Sequence, residues 1–212
     1  MRNSFVLPST FGLLLTVSLS AQNAQENQRF TLGLGAGFTT PVGNTGRFLD
    51  DGWNIQGGGG VNFSPYFGAM LNLNYNSMGV NSTILGNLGF PGGGVHIFSA
   101  TLDPIVHLNP HGRLDVYLTG GGGIHRDSQD FTAPGAATVT ATNGFFGVFP
   151  VGVPVTNVLS SYTVNKAGVD VGAGIALGSK WHGKFFAEAR YNRIFMGQFH
   201  TDYVPVTFGF RW

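Results

Sequence analysis

The chain has no cysteine and very little charge. Without cysteine there is neither a disulfide framework nor a thiolate metal site. Lys+Arg (11) and Asp+Glu (10) make up only 10% of the residues, against about 25% in soluble domains. That is too few for an ordinary water-facing surface. The formal net charge of +1 leaves no basic patch for nucleic acid. Beyond the N-terminus no apolar run approaches the ~20 residues of a membrane-spanning helix. What the chain has instead is glycine, 34 of 212 residues, roughly twice average usage of about 7%.

The N-terminus is the one continuous apolar stretch. Arg2 precedes a run from Phe5 to Leu19, and small residues follow at Ser18, Ser20 and Ala21. This pattern predicts a cleaved secretory signal over 1–24. The run is short for an anchor and Pro8 interrupts it. Residues 25–212 are expected to form one domain.

From there the period is two. In "RFTLGLGAGFT", Phe30, Leu32, Leu34, Ala36 and Phe38 share one face, with Thr31 and glycines on the other. Such alternation is a strand with one apolar side. It recurs in "WNIQGGGGVNF", "YFGAMLNLNYN", "VHIFSATLDPIVHL", "RLDVYLTGGGGIHR", "TVNKAGVDVGAGIALG", "GKFFAEARYNRI" and "YVPVTFGFRW", eight strands in all. Pro104 removes a ladder donor and predicts a bulge or local break. Connections at 64–65, 109–112 and 179–182 read as short; those at 40–51, 77–93, 127–162 and 195–202 read as long. Alternating short and long connections predict an all-β, antiparallel up-and-down barrel with turns at one end and loops at the other.

Two barrels share that outline. A lipocalin-like barrel turns its apolar face inward and meets water with charge. Here the polar face is Gly, Asn, Thr, Ser and Gln, which suits a narrow interior. The apolar face suits lipid, where every backbone polar group must be paired. Aromatics fall near both strand ends: Phe63, Tyr66, Phe67, Trp181 and Trp212 at the turn end, Trp53, Tyr75 and Tyr191 toward the loops. Two such girdles mark a transmembrane barrel.

"YLTGGGGIHR", "VDVGAGIAL" and "FFAEARYNRIF" resemble the Gly-rich and E-x-R-Y segments of the small outer-membrane β-barrel family that includes the membrane domain of OmpA, OmpX and OmpW. The resemblance covers about 30–212. It implies an outer-membrane protein of a Gram-negative cell envelope, monomeric, without cofactor and porin-like in architecture. It also implies that the alternating stripe Val206, Phe208, Phe210 and Trp212 is a C-terminal signal for the barrel assembly machinery. The last strand is expected to end at the periplasmic rim, with no peptidoglycan-binding domain after it.

Charges on the inward face must be paired or wetted. Asp103, Asp170, Glu188 and Arg190 all fall there. Counting back from the 179–182 turn brings Arg190 beside Asp170, so a lumenal salt-bridge network is expected, either as a structural plug or as an ion gate. At the loop end Arg47, Arg126, Lys166 and Arg193 are candidates for lipopolysaccharide phosphates, or else ordinary rim charge. Asn143–Gly144 between alternating runs predicts a hairpin. Its Phe145, Phe146 and Phe149 would form an exposed apolar contact for a surface ligand or a host-cell partner.

"HRDS" at 125–128 groups His, Asp and Ser, but neighbours on a strand point to opposite faces, so no triad is ready-made. The six histidines lack metal-ligand spacing, and no P-loop lysine follows the glycine runs. The expectation is a non-enzymatic envelope barrel with external loops and a largely plugged lumen. A narrow channel for small or apolar solutes and a lipid-modifying barrel enzyme are the alternatives.

Overall fold

The computed structural model describes residues 29–143, 147–178, 183–197 and 199–212. The signal expected over 1–24 lies outside them. Eight antiparallel strands close into a barrel, each paired with its sequence neighbours and β1 with β8. They are β1 (Phe30–Pro41), β2 (Leu49–Asn62), β3 (Phe67–Val80), β4 (Gly92–His107), β5 (Leu114–Asn143), β6 (Gly147–Gly178), β7 (Lys184–Met196) and β8 (Phe199–Arg211). Closure comes from the last strand: β8 antiparallel to β1 pairs Phe210 with Leu34 and Tyr203 with Pro41. Closing the sheet leaves no unpaired edge along the wall.

The faces are sorted as alternation demands. Leu34, Leu71, Leu102, Leu118, Ile124, Val171 and Phe208 point outward and are exposed. Asn54, Asn72, Thr101, Asp103, Glu188 and Thr207 point inward and are buried. An apolar exterior around a polar interior is a soluble barrel inverted, and it calls for lipid rather than water outside. Trp53 lies 5.5 Å from Tyr75 at the loop end, and Phe210 lies 6.0 Å from Trp212 at the turn end. Trp181 is outside the described residues.

The interior is not uniformly polar. Met70, Ile105, Tyr117, Ala176 and Phe186 form one buried apolar cluster, and Met78, Val95, Ile97, Ile194 and Tyr203 form another. Eight strands leave a bore that side chains fill, so inward-facing methionine and isoleucine pack there.

Two local expectations are corrected and one is narrowed. The segment 127–162 is not a loop. β5 and β6 run on together as a ribbon, paired without interruption from Phe131↔Ser160, past one shift at Thr132, to Asn143↔Gly147. A two-stranded ribbon tolerates Pro134, Pro150 and Pro154 where a proline nitrogen faces the free edge. The β7–β8 connection is likewise tight, with Gly197 at φ +85, a left-handed turn conformation that glycine adopts without steric cost. Among the described residues, the β1–β2 and β3–β4 connections at this end carry extra structure. The first holds a 3-10 turn, Thr45–Arg47. The second holds helix α1, Ser82–Leu88, capped by Asn81, whose side chain accepts from the Thr83 N–H at 3.0 Å, and closed by Gly89 at φ +73.

Pro104 brings no bulge. Register on β3 runs straight through Ala69↔Pro104, and on β5 it resumes unshifted at Ile105↔Thr119 after Leu102↔Gly122. The break is confined to the β5 side, where the Thr119 hydroxyl donates to the Pro104 carbonyl at 3.2 Å.

Candidate functional site

Register sets the inward charges. Arg190 on β7 pairs opposite Gly172 of β6, with Asp170 two residues up that strand. Gly172 offers no side chain, and a Cβ there would stand 2.7 Å from Arg190 Cγ, so the glycine makes room for the arginine. From this wall the guanidinium spans the bore. Its Nη1 donates to Asp103 on β4 at 2.5 Å and to Asp170 at 3.1 Å, while Nε donates to Glu188. All four residues named from the sequence therefore meet at one cation, in a region almost without solvent exposure.

The network extends further than those four. The Asn72 amide donates to Asp103 at 2.6 Å and the Thr101 hydroxyl at 3.0 Å. Gln56 donates to Glu188 at 3.3 Å. Arg211 brings a second cation, its Nη2 standing 3.7 Å from Glu188 Oε2 and its guanidinium lying 4.7 Å from the Tyr117 ring centroid. Sequence reasoning left out Arg211, although it shares the inward parity of Thr207. Three carboxylates against two guanidiniums leave the cluster with one negative charge in excess. Asp103 Oδ1, Asp170 Oδ2 and Glu188 Oε2 are buried with no hydrogen-bond partner from the protein.

Above and below, polar groups form smaller sets. At the loop side, the Thr39 hydroxyl donates to Asn76 at 2.7 Å and Thr207 donates to Asn54 at 2.8 Å. At the turn end, Asp115 is held between His107 Nδ1 at 2.7 Å and Lys184 Nζ at 3.3 Å.

The rim cations separate by face. Arg126 and Arg193 lie on the outward side of β5 and β7, and Arg47 is exposed on the 3-10 turn. Arg193 is engaged within the protein: Nε donates to Asp202 at 2.8 Å and Nη2 to the Tyr191 hydroxyl at 2.7 Å. Lys166 departs from the set. Paired opposite the buried His125, it sits on the inward side of β6, so it is not a lipid-facing cation.

In "HRDS" the residues are split as alternation requires. His125 and Asp127 are buried inside, while Ser128 is on the other face, 3.0 Å from the Thr163 hydroxyl. Neither nitrogen of His125 has a hydrogen-bond partner. No nucleophile, base and orienting group converge there. Among the described residues no group of three or more His, Cys, Asp or Glu is placed to hold a metal. Phe145 and Phe146 lie outside the described residues; Phe149 is in β6 opposite Ala141. The C-terminal stripe runs along the outer face of β8, with Phe208 and Trp212 exposed and Val206 and Phe210 half-buried.

The family model for the outer membrane protein beta-barrel domain matches residues 9–211. Among solved structures, Neisserial surface protein A is similar over 88% of this chain and 98% of its own, at TM-score 0.57 and 14% identity. Ail, the attachment invasion locus protein of Yersinia pestis, is similar over 86% of this chain and 97% of its own (TM-score 0.48, 15% identity). OprG from Pseudomonas aeruginosa covers 85% and 94% (TM-score 0.47, 12% identity). At such identities the likeness is one of fold. No curated protein matches the chain in sequence.

Proposed function

From the premise that this chain belongs to the outer membrane protein beta-barrel domain family, and is an outer-membrane protein, we propose that it is a non-enzymatic envelope barrel. Its lumen is plugged and its outer ribbon is a contact surface. The observation that carries the plug is Arg190, bonded at once to Asp103, Asp170 and Glu188. An ion entering the bore must displace a buried, multiply bonded guanidinium, and breaking such a set is costly. The apolar cluster around Tyr203 lies toward the loop side of this network and the one around Phe186 toward the turn side. Both argue against an open aqueous path.

The outer surface has two proposed contacts. Arg47, Arg126 and Arg193 would meet lipopolysaccharide phosphates at the rim. The β5–β6 ribbon carries no charged residue between Asp130 and Lys166, and it exposes Val158, Leu159 and Tyr162. An uncharged apolar ribbon standing clear of the wall suits a surface ligand or a partner cell. The N-terminal segment 1–24 is read as the cleaved signal, and the β8 stripe as the feature read by the assembly machinery.

Planar-bilayer recording of the refolded protein tests the plug. The expected trace is flat. Sustained unitary steps would replace this reading with the narrow channel. That second reading draws on the buried carboxylate oxygens of Asp103, Asp170 and Glu188 without a hydrogen-bond partner from the protein, since water supplying their bonds would be the start of a conducting file.

A further inference from the structure

A cavity of about 450 Å³ opens at the loop end, above the cluster around Tyr203. Small-molecule sites fall in a range of roughly 300–1,000 Å³. Its lining is mixed: Leu49, Val80, Val95, Ile84, Phe48 and Phe199 supply apolar surface, and Asn44, Thr45, Gln129 and Thr201 add polar groups. Asp127 stands among them at 2% exposure. Gln129 hydrogen-bonds the carboxylate, but its Oδ1 has no hydrogen-bond partner, and among the described residues no cation forms an ion pair with it. His200, the one other titratable group lining the cavity, is turned to Asp202 at 3.4 Å.

A buried carboxylate without a cationic partner is costly to keep charged unless something positive comes to it. Asp127 is not needed to hold the wall, because the β4–β5 and β5–β6 ladders run through Ile97↔Asp127 and Asp127↔Val164 on backbone bonds. We propose that this vestibule binds a small amphipathic amine, its protonated nitrogen on Asp127 and its hydrocarbon body against Leu49, Val80 and Ile84. The occupant is a cation because, among the described residues, the only buried charge without an ion pair lining the cavity is negative. Its body is small and apolar because apolar side chains predominate over the rest of the lining. Packing beneath the cavity makes the site blind, so it binds rather than conducts. The inference rests on the loop end being the outer end, and on a folded barrel.

The test uses the whole refolded barrel in nanodiscs of phosphatidylcholine, with empty nanodiscs subtracted. Calorimetry compares 4-phenylbutylamine with 4-phenylbutanol, which differ in the head group. The amine is expected to bind at least tenfold more tightly. Asp127→Asn should remove that preference, and Leu49→Trp should weaken both probes by filling the chamber. The electrophoretic shift on boiling reports folding of each variant independently. Equal binding of amine and alcohol to the unmodified protein would overturn the proposal without recourse to any variant, as would no binding above empty nanodiscs. Flat conductance with amine binding keeps both readings; conductance without binding ends this one and the plug together; flat conductance without binding ends this one alone.

Discussion

Arg190 on β7 and Asp103 on β4 are joined across the bore, Nη1 to Oδ2, at 2.5 Å. The strands carrying them are not neighbours in the wall, so this bond braces opposite sides of the barrel. The two ends of the brace are unequal. Asp103 loses one cation if Arg190 goes, whereas Arg190 has three acidic partners. Arg190→Leu strands three carboxylates with only Arg211 nearby, and should cost about 3–5 kcal/mol. Asp103→Asn leaves Arg190 bonded to Asp170 and Glu188 and should cost about 1–2 kcal/mol. Urea unfolding in lipid vesicles gives both values. A larger loss for Asp103→Asn would mean that Arg190 is not the centre of the network.

Much of this brace could be read from the chain, and it is instructive where reading stopped. Alternation put Asp103, Asp170, Glu188 and Arg190 on one face, and counting from a turn put Arg190 beside Asp170, because the two-residue period fixes both face and register. Alternation misjudged the filling of the bore. Met70, Met78, Ile97 and Ile194 share the face of Asn72 and Ser99, and on a strand pattern they read as noise against a polar face. They become sensible once eight strands are seen to leave a bore narrow enough for side chains to pack across it. The tip of the β5–β6 ribbon was legible as the hairpin at Asn143–Gly144, but its length was not. Pro134, Pro150 and Pro154 are breakers in a sheet interior but not on a free edge, and nothing in the local sequence says which applies. Arg211 is hard to read from the chain because it lies within the terminal stripe, between the apolar Phe210 and Trp212.

Gly123 is a point where the wall has no slack. A Cβ there would stand 1.9 Å from the Ala100 carbonyl oxygen and 2.7 Å from Thr101 Cα, both backbone atoms of β4 that cannot rotate away. Gly123→Ala must therefore push β4 and β5 apart beside Asp103 and His125. The expected loss is about 1–3 kcal/mol. Gly86→Ala is the control, since nothing lies within 4 Å of a Cβ at that helical site. Thermal midpoints of the two variants should separate clearly, Gly123→Ala falling and Gly86→Ala holding level or rising. Equal midpoints would show that the β4–β5 approach yields without cost.

The outer-rim arginines should differ in how they use lipopolysaccharide. Arg193 is held by Asp202 and Tyr191 in the protein alone. Arg126 is exposed on the lipid side between Phe98 and Asn165, with no ion pair among the described residues. A cation in that setting must find its anion in the head groups. Replacing phosphatidylcholine by lipopolysaccharide in the nanodisc should therefore raise the melting midpoint. Arg126→Ala should remove more of that rise than Arg193→Ala does. If Arg126→Ala keeps the whole rise, the phosphates are not bound there.

The outward stripe on β8 should matter more to assembly than to the stability of the finished barrel. Phe208 and Trp212 are exposed on the outer wall, where lipid takes the place of packing partners. Trimming them leaves no internal cavity, so the folded barrel should lose little once formed. Phe186, by contrast, is buried in the inner apolar cluster with Tyr117 and Met70, and Phe186→Ala should cost about 3–5 kcal/mol by opening a void. In cells the order should reverse. Phe208→Ala combined with Trp212→Ala should lower the amount of heat-modifiable barrel in the outer membrane several-fold, while Phe186→Ala should be inserted and then melt early. The two measurements needed are membrane-fraction yield and the boiling-shift temperature, on the same preparations. Normal yield from the stripe variant would leave β8 as simple lipid-facing wall, with no role in being recognised for assembly.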